Sequence, residues 1–192
     1  MMDRRRALMG ARRDTSLLYH LENHATSAGD SINTGIFNTM AAGINLTVLF
    51  DMDMTMTQSG DGSACWIIRV YNSNLDANAL AIRKATSTAI KWWVLWQSST
   101  SDYDMAGTST TSGRYRFCVT HEANSNTVTI MIKKDSGAIL TFTITRQFYS
   151  APNVMVFGHA TQPQRGLPAG TINLAEIYNR ILSSAEINAF FA

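Results

Sequence analysis

The sequence is short of charge, cysteine, glutamate and long apolar runs, and each shortage closes off a class of function. Charged residues make up 16% of the 192 and hydrophobic ones 45%, which excludes a disordered chain. A net charge of +2 is too small to imply nucleic acid by itself. No stretch approaches the apolar length that crosses a bilayer. The basic start is followed by no apolar segment of useful length, so a secretory signal is not expected. Cys65 and Cys118 are the only cysteines, and their spacing fits no zinc motif. Buried free thiols are the expectation for them, with a bridge as the alternative, because Cys packs well as a small hydrophobe. His20, His24, His121 and His159 are scattered and suggest no zinc cluster. No glycine-rich phosphate loop runs from a strand into a helix, and no G-x-S-x-G elbow is present.

What is present is strand. In INLTVLFDMDMTMT, Leu46, Val48, Phe50, Met52, Met54 and Met56 alternate with Thr47, Asp51, Asp53, Thr55 and Thr57, with Leu49 the exception. A period of two over a dozen residues predicts a long strand with one buried face. ACWIIRVY and IKWWVLWQ are apolar on both faces, as for strands between two layers or under a covering loop. Three further segments place Tyr115, Phe117 and Val119, then Val128, Ile130 and Ile132, then Leu140, Phe142 and Ile144 inward. Short polar turns such as Asp135-Ser136-Gly137 join neighbours, and no crossover helix separates them. The expected fold is all-β, an antiparallel two-sheet sandwich. One short helix closes the chain, where Ser183 and Glu186 form a capping box and Ile187, Phe190 and Phe191 share a face.

GTINLAEIYNRILSSAEINAFF resembles the closing strand and helix of the laminin-G-like, concanavalin-A-like jelly-roll superfamily. Gly170, Ile172, Ile177, Tyr178, Asn179, Arg180, Leu182, Ser183, Glu186 and Ile187 carry the pattern. Ile32, Thr34, Gly35 and Ile36 resemble the family's early segment, and residues 114–140 resemble its central hairpin more loosely. The resemblance implies a jelly-roll domain over residues 15–192 behind a basic arm at 1–14. It fixes no function, because the superfamily includes lectins, adhesion modules, glycosidases and viral structural domains. The opening MDRRRALMG resembles the starts of structural proteins from phages of gut bacteria. It implies a virion component, made in the host cytoplasm without an export signal and prone to homo-oligomerise.

On these grounds the chain is expected to bind or assemble rather than catalyse. The leading expectation is a phage virion protein that recognises a host-surface glycan or a neighbouring subunit. A carbohydrate-binding module without a virion role is the alternative, and a glycoside hydrolase ranks third. Glycosidases need two carboxylates flanking the bond. Here the four glutamates, Glu22, Glu122, Glu176 and Glu186, share no strand at alternating spacing. Asp51 and Asp53 do alternate on one strand, on the face away from the Met/Phe stripe, and are expected in solvent. Sugar binding needs an aromatic platform beside polar groups. Trp93, on the opposite face from Trp92, Val94 and Trp96, is the candidate, next to a long polar loop that offers Asp102, Tyr103 and Asp104. The bland reading has that loop simply covering Trp93. Asp102 and Asp104 could also serve a calcium ion, although a metal-free loop is the simpler expectation and no cofactor is required. Arg4, Arg5, Arg6, Arg12 and Arg13 make the arm either an assembly element or a solvated tail. Outside the arm the chain is slightly acidic, so nucleic acid is not expected, and with no apolar stretch of spanning length membrane insertion is not expected either.

Overall fold

The computed structural model describes residues 14–35, 45–56, 65–72, 77–84, 92–96, 102–108, 110–122, 127–145, 154–159 and 166–192. Twelve strands and one helix are assigned among them: β1 (Leu17–Thr26), β2 (Ile32–Asn33), β3 (Leu46–Thr55), β4 (Trp66–Asn72), β5 (Ala77–Lys84), β6 (Trp92–Trp96), β7 (Asp102–Asp104), β8 (Gly113–Glu122), β9 (Thr127–Lys134), β10 (Leu140–Thr145), β11 (Val154–Phe157), β12 (Ala169–Tyr178) and α1 (Ser184–Phe191). They form two six-stranded antiparallel sheets. The back sheet runs β1-β12-β3-β8-β9-β10 and the front sheet β2-β11-β4-β5-β6-β7. The chain is therefore an all-β sandwich, as its alternation predicts.

Alternation also builds the core. Val48, Phe50, Met52 and Met54 of β3 face Ile68, Val70 and Ile82 of the front sheet, with Tyr115, Phe117, Val119, Val128 and Ile130 beside them. Phe50 stacks on Phe157 at 4.8 Å between ring centroids, linking the two layers. Leu49, the exception to the pattern, has its own explanation. It is buried on the outer side of the back sheet, together with Cys118 and Tyr178, beneath Ile187, Phe190 and Phe191 of α1. Cys118 thus lies on the helix side, whereas Cys65 packs against the main core; both are free thiols. Burial pushes the Cys118 thiol up to about 12, so it behaves as a small hydrophobe.

The helix starts where the sequence says it should. The Ser183 amide donates to Glu186 Oε2 at 2.8 Å, and the Glu186 amide donates to Ser183 Oγ at 3.4 Å. Arg180 ties this cap to the start of the fold, donating to Glu186 Oε1 at 2.6 Å, to Asp14 Oδ2 at 2.9 Å and to Ser16 Oγ at 2.9 Å. Asp14 therefore belongs to the folded body rather than to the arm. Arg4, Arg5, Arg6, Arg12 and Arg13 lie outside the described residues. Among the described residues no helix is long and apolar enough to cross a membrane.

That clamp has a pH signature. Hydrogen bonds from Ser16 and then Arg180 hold the Asp14 carboxyl down at about 2, against an ordinary 3.8. Arg180 and then Ser183 hold Glu186 at about 2, against 4.5. Depressed carboxylates stabilise the fold fully above their ordinary values and lose that contribution as pH falls through the folded ones. Amide exchange in α1 is expected to accelerate as pH drops from about 4.5 towards 2, after correction for intrinsic exchange. Arg180→Met should flatten that acid limb; an unchanged limb would mean that the clamp does not hold the helix.

Candidate functional site

The two outer faces of the sandwich differ in what they have left to offer. The back sheet's is committed to architecture. Asp51 is fully buried there and accepts two bonds from Arg114, from Nε at 2.8 Å and Nη2 at 2.6 Å, with Arg116 Nε at 3.6 Å. The expectation that Asp51 and Asp53 both face solvent is thus corrected. Both lie on the outer face, but only Asp53 is exposed, because register sets Arg116 directly beside Asp51 and α1 closes over that neighbourhood. Arg116 Nη1 and Lys133 Nζ each donate to the Phe191 carbonyl at 2.6 Å, placing two cations at the negative end of the helix. Beside this network Glu176 accepts from the Tyr178 hydroxyl at 2.7 Å and pairs with His20 Nδ1 at 2.9 Å, an arrangement that pins edge strand β1. A cleft of about 280 Å³ at one end of the sandwich is lined by Tyr115, Ile132, Lys134 and Leu140. Its mainly apolar lining offers little to read sugar hydroxyls.

The front sheet's outer face has a different chemistry. Ile82 points into the core, so Ala81 and Arg83 on either side of it face outward. On β4 a register shift between Trp66 and Ile68 puts Ile67 and Ile68 both in the core and leaves Trp66 and Arg69 opposite Arg83 and Ala81 on the outer face. The Arg69 guanidinium stands 5.5 Å from the Trp66 ring centroid and that of Arg83 stands 5.6 Å from it. His159 meets the same ring edge-on at 4.9 Å. Trp66 and Arg69 are each 1% exposed, whereas Arg83 is half-buried and reaches solvent. Two cations therefore share one indole, whose electron-rich face favours positive charge. Trp66 Nε1 is buried without a hydrogen-bond partner among the described residues, a position that costs free energy until an acceptor arrives. Chemically, the exposed part of this cluster, the Arg83 guanidinium, suits an anion, its fork matched to a carboxylate.

Strand register relates this cluster to the residues singled out in the sequence. Trp66 pairs with Arg83, Arg83 with Trp93 and Trp93 with Asp104, giving one row across the front sheet. The next row runs Arg69, Ala81, Leu95, Asp102. Trp93, Asp102 and Asp104 thus hold register positions in line with the arginine cluster. Tyr103 occupies the intervening row, with Val94 and core-facing Ile82. The expected long loop is corrected in part: Asp102–Asp104 form edge strand β7, paired to β6. A strand directs half of its backbone carbonyls to its partner, so fewer oxygens remain for the calcium that a loop could hold. Among the described residues no group of three His, Cys, Asp or Glu side chains converges on a metal position. The sequence reading missed Trp66, Arg69 and Arg83. Their signal was a lone arginine inside an otherwise apolar strand, in WIIRVY and again in ALAIRK.

No family model matches the chain, and no curated protein does. Solved structures do. The chain resembles the CBM40 domain of the Ruminococcus gnavus IT-sialidase, bound in one structure to α2,3-sialyllactose, with a TM-score of 0.63 and 12% identity. That match covers 90% of this chain and 97% of the other. The same domain bound to α2,6-sialyllactose gives 0.64 and 12%, over 92% and 100%. The NanB sialidase of Streptococcus pneumoniae gives 0.59 and 11%, and this chain, matched over 91% of its own length, spans 28% of that enzyme. At such identities the likeness establishes a shared β-sandwich fold. These neighbours are sialidase domains rather than virion proteins. The phage-like opening segment lies outside the described residues.

Proposed function

We propose that this domain is a non-catalytic carbohydrate-binding module that takes an acidic sugar on the outer face of its front sheet. The observation that carries the reading is Arg83, which reaches solvent on the front sheet and shares the buried Trp66 indole with buried Arg69. A carboxylate engages the solvent-reaching Arg83 guanidinium, which the buried Arg69 and Trp66 hold in place. The complexes of the Ruminococcus gnavus domain with sialyllactose support a sialic acid as the first ligand to try. The virion role and self-association expected from the opening segment have no comparable support.

Titration calorimetry of the full chain with α2,3- and α2,6-sialyllactose, and with lactose as the neutral control, tests the proposal. Saturable binding is expected only for the sialylated sugars. Arg83→Ala should weaken it about tenfold or more, in line with loss of a charged hydrogen bond, without lowering the thermal midpoint appreciably. Equal behaviour towards lactose and sialyllactose, or wild-type affinity in Arg83→Ala, would remove the basis for the assignment.

A further inference from the structure

Each sheet of the sandwich ends in two edge strands, and an edge carries backbone groups ready to pair with another chain. Three of the four edges are blunted in ordinary ways. β2 and β7 are two and three residues long. β1 exposes His20, Glu22 and His24, breaks register between Leu17 and Tyr19, and holds Asn23 at a φ of 53°. β10 has none of these devices. Residues 136–145 contain no charge and no proline, and the register with β9 runs unbroken from Leu140 to Thr145. Among the described residues no strand pairs with the far side of β10. Its apolar burial is also incomplete. Ile139 is exposed, and Leu140 and Phe142 are half-buried, whereas their partners on β9, Ile132 and Ile130, are buried.

The pattern of β10 is its own complement. Residues 141–145 read threonine, phenylalanine, threonine, isoleucine, threonine, the same in kind in either direction. Laid antiparallel against a copy about Thr143, that residue meets itself, Thr141 meets Thr145 of the partner subunit, and Phe142 meets Ile144 of the partner subunit. Threonines then pair on the outer face and an aromatic pairs with a β-branched residue on the core face, both favourable cross-strand combinations. The outer face already carries such a row, since Thr47, Thr120, Thr129 and Thr143 are successive cross-strand partners from β3 to the edge. Burial falls along it: Thr47 and Thr120 are buried, Thr129 is half-buried and Thr143 is exposed. We infer that β10 pairs antiparallel with β10 of a second copy, joining two back sheets into one of twelve strands. No charge faces its like in these five pairs, and one such edge per copy closes the assembly at two. A two-fold axis perpendicular to the sheet leaves both front sheets on the same side, so the sugar-binding faces proposed above point the same way.

Sedimentation equilibrium of the full chain, run from about 5 to 500 μM, reads the association directly. Five paired positions bury less than the ~1,200 Å² of a stable interface, so a dissociation constant of about 10–100 μM is expected. Thr143→Lys sets like charges opposite each other on the two-fold axis and should weaken the dimer about tenfold or more. Thr143→Glu should do the same. Mixing the two variants should restore association, since each charge then faces its opposite. Thr143 is exposed, so both variants should keep the wild-type thermal midpoint, which separates lost pairing from lost fold. A wild-type chain that stays monomeric throughout overturns the inference. So does a dimer that survives both substitutions, or one lost only on removal of residues 1–13, because the contact then lies elsewhere. Sugar binding is read separately by calorimetry, and none of these outcomes bears on it.

Discussion

Gly170→Ala is expected to destroy the native sandwich. A Cβ at that position would lie 1.9 Å from the Asp53 carbonyl oxygen and 3.0 Å from its carbon, so the obstacle is backbone and cannot swing aside. Gly170 also has a φ of 154°, a region that L side chains avoid. It pairs with Met54 at one end of the β3–β12 ladder, where the two strands must part or β12 must slip. β3 and β12 are both interior to the back sheet, so neither can shift without breaking a second ladder. A cost of about 5 kcal/mol or more is expected, comparable to the whole stability of many domains. Soluble yield and urea unfolding measure it. Gly35→Ala is the control, having a φ of 68° but no heavy atom of the described residues within 4 Å of the new methyl, and it should cost about 1 kcal/mol. A Gly170→Ala protein with a native midpoint would show that β3 and β12 approach less closely than described.

Asp51→Ala should give the next largest loss, about 3 kcal/mol in urea unfolding. Breaking a buried ion pair on one side costs about 3–5 kcal/mol because a charge is left uncompensated. The lower end applies because the Arg114 side chain is 37% exposed and can turn to water, whereas Arg116 at 11% cannot do so readily. Asn173 donates to Asp51 Oδ1 at 3.3 Å and loses an acceptor as well. The companion change Asp53→Ala, at an exposed neighbour two residues on, should stay within about 0.5 kcal/mol. Replacing both partners, Asp51→Leu with Arg114→Met, should recover most of the loss, since an apolar pair leaves no orphaned charge at that position. If Asp51→Ala and Asp53→Ala cost the same, the buried carboxylate is not what organises this face.

Much of the fold was legible because burial repeats at the period of the backbone. The β3 stripe, the inward residues of β8 and β9, and the capping box at Ser183 follow from alternation and from local hydrogen bonding, which a sequence displays directly. Leu49 and Asp51 show where that logic ends. Alternation assigns both to the face turned away from the core, but α1 and the arginines of β8 arrive there from more than sixty positions along the chain and bury it. The same limit applies to the candidate site. Trp93, Asp102 and Asp104 were visible as polar or aromatic residues in suggestive places. What aligns them with Arg83 and Arg69 is strand register, a property of pairing between segments rather than of any one of them. The sequence by itself determined the strands with a clear period, the all-β class and the capped helix, because propensity, period and capping act over a few residues, but not edge strand β7, which pairing with β6 defines. Only the tertiary structure decided which face the helix covers, which carboxylate is buried and which arginines share a tryptophan, because each depends on residues distant in sequence packing onto one surface.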